Sequence, residues 1–235
     1  MVFTPIHDSN TLKFIPFQAV TFGLIGLNVL VFLYQMTLDA DGIYALSLAA
    51  GVTPAMLLQG AGGVAQLPLP AEFAHLPPEA TLFTYMFVHA DIWHLLGNMI
   101  FLWVLGDNVE DALGHVRFLI FYLLCGVGAA YAHAMIEPDS SIPLIGASGA
   151  IAGVVGAYLM LFPRAGVWSL ILMRIPVKLP AYIVLGAWVA VQVYFIAAMD
   201  QSGTAWWAHA GGFITGAVLT PFFKRQSVPL FGSGS

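Results

Sequence analysis

FIPFQAVTFGLIGLNVLVFLYQMTL, residues Phe14–Leu38, contains no Asp, Glu, Lys or Arg. An α-helix rises about 1.5 Å per residue, so about 20 residues cross a hydrocarbon core of roughly 30 Å. The run is long enough to span a bilayer. Val2–Leu12 ahead of it holds no basic cluster, and no small-residue cleavage signature follows. It therefore reads as a retained helix and not as a removable leader.

Five more uncharged stretches follow, at Ile92–Gly106, Phe118–Ile136, Ser140–Pro163, Leu179–Met199 and Gln201–Phe223. All but the first of these are long enough to span. The helix at Ile92–Gly106 must run on past Asp107 or lie inside the bundle, where Asn98 and Asp107 need not face lipid. Composition agrees: 60% of residues are apolar and 8% charged, against roughly 25% charged in soluble domains. The expected fold class is an all-α membrane protein, a bundle of six transmembrane helices.

Lys and Arg favour cytoplasmic loops, and they orient the bundle. With the sides numbered alternately from the N-terminus, Lys13, Arg117, Arg164, Arg174, Lys178, Lys224 and Arg225 all fall on one side. Both termini are expected to be cytoplasmic. The other side carries Asp39, Asp41, Glu72, Glu79, Asp91, Glu137, Asp139 and Asp200 and no base. The net charge of −5 is thus a topology signal, and nothing points to nucleic acid. Cys125 is the one cysteine, so no intrachain disulfide can form. Tyr122, Gly126 and Ala129 recur around it at helical spacing, which fits packing better than a reactive thiol.

The domain reading is a cytoplasmic segment 1–13, a membrane domain 14–225 and a tail 226–235 ending in a linker-like Gly232-Ser233-Gly234-Ser235. The outer segment 39–91 is too long for a hairpin. It carries Gly60, Gly62, Gly63, Pro68, Pro70, Pro77 and Pro78. Its apolar Ile43, Tyr44, Leu46, Leu48, Met56, Leu57 and Leu58 suggest a short amphipathic helix in the interface. The aromatics Trp93, Trp103, Trp168, Trp188, Trp206 and Trp207 largely fall at span ends, as interface belts do.

Ser148 lies in Gly146-Ala147-Ser148-Gly149, where small neighbours let a backbone or substrate approach the hydroxyl. Alone, such a string reads as helix packing, with Gly149 and Gly153 as a small-xxx-small face. His209 changes that reading. It sits in Ala208-His209-Ala210-Gly211-Gly212, and Gly212 and Gly216 offer a matching face for the fourth span. Counting ~1.5 Å per residue from each span's outer start puts Ser148 and His209 at similar depths, about 9–12 Å. A serine hydroxyl needs a base to take its proton, and a neutral imidazole suits that task. His94 and Asn98, at i and i+4, share one helical face in the outer half of the second span. Two donors so placed could stabilise the oxyanion of a tetrahedral intermediate. The competing reading for each residue is interhelical hydrogen bonding for stability.

Taken together, His94-x-x-x-Asn98, Gly146-x-Ser148-Gly149 and Ala208-His209-x-x-Gly212-x-x-x-Gly216 resemble the rhomboid intramembrane serine proteases. The likeness covers about Leu82 to Phe223, and it includes Thr84–His89 and Gly106–Gly114 beside the second span. It implies a six-span rhomboid-like bundle in which Ser148 is the nucleophile and His209 the general base, without an acidic third member. It assigns His94, Asn98 and the Ser148 backbone N–H to the oxyanion hole. It also implies single-span membrane proteins as substrates, the lipid bilayer as surroundings and a bacterial cytoplasmic (inner) membrane as location. The chain departs from the family pattern in two places. Ala80-Thr81 stands where many members have Trp-Arg, and Ala152 where some have a Tyr beneath the histidine ring.

No cofactor is implied. A metal site from His89, His94 and His133 fits spacing alone, but the chain has no His-Glu-x-x-His pattern. His89 and His133 read as structural, the latter bonding a neighbouring helix. Two other functions compete with this reading: an inactive rhomboid-like protein that binds and escorts membrane proteins, and a small transporter. The escort reading is disfavoured because Ser148 and His209 are both present. A transporter would show broken midplane helices and a repeat, whereas these polar groups stop in the outer half.

Overall fold

Five of the six uncharged stretches fold as helices along most of their length, and Ser140–Pro163 does so only in its later part. The structure is a computed structural model that describes residues 3–60, 76–171, 174–200 and 203–232. In chain order the elements are β1 Phe3–Asp8, α1 Ala19–Gln35, α2 Ala40–Ala50, α3 Pro54–Gln59, α4 Pro78–Thr84, α5 Ile92–Leu113, α6 His115–Ile136, α7 Ser148–Leu161, β2 Gly166–Ile171, β3 Ile175–Pro180, α8 Ala181–Ala197 and α9 Trp206–Phe223. Among the described residues, α6 alone is long and apolar enough by itself to cross a membrane. A bent pair, Pro78–Phe87 with Ile92–Leu113, passes the same test together across an 85° break. α1, α7 and α8 are shorter apolar helices.

Local chemistry sets the boundaries. Asp39 caps α2 by accepting from the Gly42 N–H, and Pro54 and Pro78 open α3 and α4 at positions where an N–H would be unpaired anyway. α5 does run past Asp107, to Leu113. Gly114, with φ at 89°, then turns the chain into α6. Residues 140–147 are not helical: Leu144 bridges to Val52, and Ala55 donates to the Ser140 carbonyl. The apolar part of the outer segment forms two helices, α2 and α3. Its Gly62, Gly63, Pro68 and Pro70 lie outside the described residues, as do Glu72, His75 and Ser233–Ser235.

The loops sort into two ends. At one end Asp111 accepts the backbone N–H groups of Lys13, Phe14 and Ile15 at 2.7–2.8 Å, and Arg225 N donates to the Ala112 carbonyl. Glu110 reaches from α5 to cap α1, accepting Val20 N at 3.0 Å and both Thr21 N and Thr21 Oγ1 at 2.7 Å. Phe231 N and Gly232 N bond to the carbonyls of Met160 and Leu161, so the first tail residues are anchored. At the other end Gln35 pairs with the backbone of His89, and Thr84 Oγ1 donates to the Ala50 carbonyl. α1, α5, α6, α7, α8 and α9 run back and forth between these ends.

The all-α expectation needs one correction. β1, β2 and β3 form an antiparallel sheet in that order, with Val167 opposite Asp8 and Leu179. Val167 and Ser169 of the central strand are buried while Trp168 is exposed, an alternation that a pleated strand produces. The missed signal was the β-branched and aromatic content of Val167–Ile171 and Ile175–Leu179. Tyr158 of α7 donates its hydroxyl to Asp8, and Asn108 Nδ2 bonds the same carboxylate at 2.8 Å, which ties the sheet to the helices.

The interior is built around α6, α7 and α9. A side chain at Gly212 would overlap the Gly149 carbonyl oxygen, and one at Gly216 would overlap that of Gly153. The two glycine faces therefore meet backbone to backbone. Cys125 is fully buried against Gly153, in keeping with a packing role.

Candidate active site

The chain reaches Ser148 through a turn. Gly146 has φ at 111°, a conformation other residues rarely adopt, and its N–H donates to the Tyr85 carbonyl at 2.9 Å. Tyr85 is itself fixed by its hydroxyl, which donates to the Gly126 carbonyl at 2.8 Å. α7 starts at Ser148 itself with no side-chain cap, so the serine occupies the helix's first turn. The depth count along a continuous span thus fails for Ser148, since residues 140–147 do not advance at the helical rise. Ser148 is nevertheless brought to His209. Its partner lies in the first turn of α9, also without a side-chain cap. His209 Nε2 stands 2.8 Å from Ser148 Oγ.

The other ring nitrogen of His209 is engaged too. Nδ1 lies 2.7 Å from Oε1 of Gln192 on α8. Two tryptophan rings flank the imidazole, Trp188 tilted at 36° and Trp206 edge-on at 86°, each with centroids 5.9 Å away. Both had read as interface aromatics. Gln192 escaped the sequence reading altogether, although it is the one carboxamide in Leu179–Met199 and lies four residues after Trp188. Ala152, one of the two departures from the family pattern, is fully buried.

His94 sits in the first turn of α5. Asp91 Oδ1 caps that helix by accepting Trp93 N at 2.7 Å and His94 N at 2.9 Å. Its ring lies over Gly146, where an added Cβ would stand 2.6 Å from Cε1 and 2.7 Å from Nε2. Nδ1 faces the Ala90 N–H at a long 3.4 Å. Nε2 is the nitrogen nearer the Gly146-Ala147-Ser148 turn. Asn98 is buried one turn further along, and its Nδ2 donates to the His94 carbonyl at 3.0 Å. The structure thus joins Ser148 to His209 and packs His94 beside the turn, while the Asn98 amide is engaged by its own helix.

His89 and His133 form no hydrogen bond with Ser148 or His209. His89 is fully buried with its ring edge-on to His94 at 5.1 Å. Nδ1 of His133 is buried and has no hydrogen-bond partner among the described residues, so the expected bond to a neighbouring helix is not made there. Among the described residues, no three His, Cys, Asp or Glu side chains are grouped to hold a metal ion.

Comparison with known proteins adds to this geometry. The chain is similar to "Rhomboid protease AarA" of Providencia stuartii, 28% identical over 224 residues, covering 86% of this chain and 71% of that protein. It is similar to "Rhomboid protease GluP" of Bacillus subtilis, 32% identical over 154 residues, covering 66% of this chain and 27% of that protein. It is also similar to "RHOMBOID-like protein 1" of Arabidopsis thaliana, 29% identical over 138 residues, covering 59% of this chain. The matched part is 33% of that plant protein's length, so the chain spans well under half of some of its relatives. A family profile described as "Rhomboid domain" matches residues 79–226, more than half of the chain and all four candidate site residues. The chain belongs to the rhomboid family.

Proposed function

We propose that this chain is an intramembrane serine endopeptidase that cuts single-span proteins near the outer membrane face, with Ser148 and His209 as its dyad. The observation that carries the reading is the 2.8 Å separation of His209 Nε2 and Ser148 Oγ, a distance that allows direct proton transfer. Ser148 Oγ attacks the scissile carbonyl as His209 Nε2 takes its proton, and a C–O bond forms. The tetrahedral intermediate collapses, the C–N bond breaks, and His209 returns the proton to the leaving amine. Water then repeats the cycle on the acyl-enzyme and frees Ser148.

The oxyanion is held by the Ser148 backbone N–H, which a first-turn residue leaves free of intrahelical bonding, and by His94 Nε2–H. Asn98 supplies a further N–H after turning from the His94 carbonyl. A helical substrate hides its carbonyls in i to i−4 bonds, so the preferred substrate helix unwinds readily near the cut through Gly, Pro or other weak helix formers. Small residues around Ser148 favour small side chains there.

In the same reading α1, α5, α6, α7, α8 and α9 cross the membrane within a domain 14–225, and both termini are cytoplasmic. The grouping of the loops into two ends supports this, because every Lys and Arg falls at one end. The test uses purified protein in liposomes with a reporter single-span substrate. Ser148→Ala and His209→Ala are each expected to lower turnover by at least about a thousandfold, as in other serine hydrolases. Turnover equal to the parent in both variants removes the catalytic assignment. Labelling by a fluorophosphonate, which reacts only with an activated serine, separates an enzyme from an inactive escort protein.

A further inference from the structure

We propose that Gln192 is the positioning residue of the dyad: it fixes the tautomer and orientation of His209, in place of an acidic third member. The proposal rests on the Ser148–His209 reading above. Gln192 is the one polar side chain among the buried residues of α8, whose others are Ala181, Val184 and Leu185. An amide buried among apolar groups is costly unless it is hydrogen-bonded, and both ends of this one are. Nε2 donates to the Trp188 carbonyl at 3.0 Å, and Oε1 lies 2.7 Å from His209 Nδ1.

Those two contacts decide the protonation of the imidazole. A carbonyl oxygen can only accept, so the amide nitrogen must face Trp188 and the amide oxygen must face His209. Flipping the amide would set two oxygens against each other at Trp188. An amide oxygen can only accept as well, so Nδ1 carries the proton. A neutral imidazole has one N–H. Nε2 is then left with its lone pair toward Ser148 Oγ at 2.8 Å, the form a general base requires.

The ring is also held across its plane by the same stretch of helix. Trp188, one turn before Gln192, packs on the imidazole from one side, and Trp206 meets it edge-on. One turn of α8 thus grips His209 by its edge and its face. A neutral amide also suits an apolar setting, because an ionised carboxylate there would carry a large desolvation cost.

The experiment compares three proteins in liposomes with the reporter substrate. Gln192→Leu removes the acceptor at nearly constant volume in an apolar helix. Its kcat is expected to fall about 10- to 100-fold, a part of the roughly 10²–10⁴-fold that general acid–base catalysis contributes, with KM within about twofold and thermal stability close to the parent. Gln192→Glu, as the neutral acid, keeps a carbonyl oxygen toward His209 Nδ1 and an O–H donor toward the Trp188 carbonyl, and is expected to recover part of the lost kcat. A structural role alone would instead lower the folded fraction and leave kcat per folded enzyme, read from fluorophosphonate-titrated sites, unchanged. A Leu variant with kcat within twofold of the parent, or a Glu variant no faster than the Leu variant, overturns the proposal. Ser148→Ala runs alongside. If it still cleaves, the dyad itself is wrong; if it is inactive while Gln192→Leu matches the parent, only the role of Gln192 falls.

Discussion

Gly146 meets two demands at one position. Its φ of 111° excludes most side chains, and the His94 ring occupies the space a Cβ would need. Gly146→Ala is therefore expected to cost about 1–3 kcal/mol in backbone strain and to push His94 from the turn. Cleavage should drop at least tenfold while fluorophosphonate labelling of Ser148 persists. Cleavage equal to the parent would separate His94 from the oxyanion. At this scale the sequence was informative where a residue type is rare in its surroundings: Ser148, His209 and His94 each stand out among apolar neighbours. Gln192 stands out equally in its run, but a neutral amide suggests no chemistry until its partner is seen. The Asn98 contact was not legible at all, since spacing fixes a helical face and not which partner a side chain takes.

Helix lengths were legible because a run of uncharged residues marks where a chain can lie in apolar surroundings. Boundaries were less so. α7 is shorter than its uncharged run because Pro143 and the positive φ of Gly146 break the helical path, and bonds to Val52 and Tyr85 hold the broken segment. The sheet was missed because its strands were read for charge and not for alternation. It brings Asp8 against Tyr158 and Asn108, and burial pushes the Asp8 carboxyl above its usual range even though those hydrogen bonds and nearby His7 pull the other way. A carboxyl raised in the folded state contributes stability that is full below its unfolded value, near ~4, and is lost as pH rises through the folded value. The melting temperature of the parent relative to Asp8→Asn should thus be greatest in acid and shrink toward neutral pH. A difference that is flat, or that grows toward neutral pH, would show that Asp8 does not favour its protonated form there.

For the whole molecule, the basic residues and the contacts between loops agree on which segments share an end. β1 pairs with β2 across 160 or so residues of chain, and Gln59 Nε2 donates to Asp139 at 2.9 Å at the opposite end. Cys125 is buried, so single cysteines can report sidedness with little background. With a membrane-impermeant thiol reagent on intact cells, Asp139→Cys is expected to label and Arg174→Cys only after permeabilisation. The reverse pattern would invert the orientation, and equal labelling of both would remove the membrane-spanning arrangement. What no count of charges could supply was the way the ends close, because that depends on pairing between distant backbone groups.

His94, Ser148 and His209 each lie in the opening turn of a different helix, α5, α7 and α9. Aligned peptide dipoles leave roughly half a positive charge at such an end. The His94 ring lies over the Gly146 turn that leads to Ser148, and Ser148 meets His209, so these three positive ends lie near one another. In the proposed reading, the convergence of three helix starts thus readies the site for an anionic oxygen through the backbone alone, before any side chain rearranges.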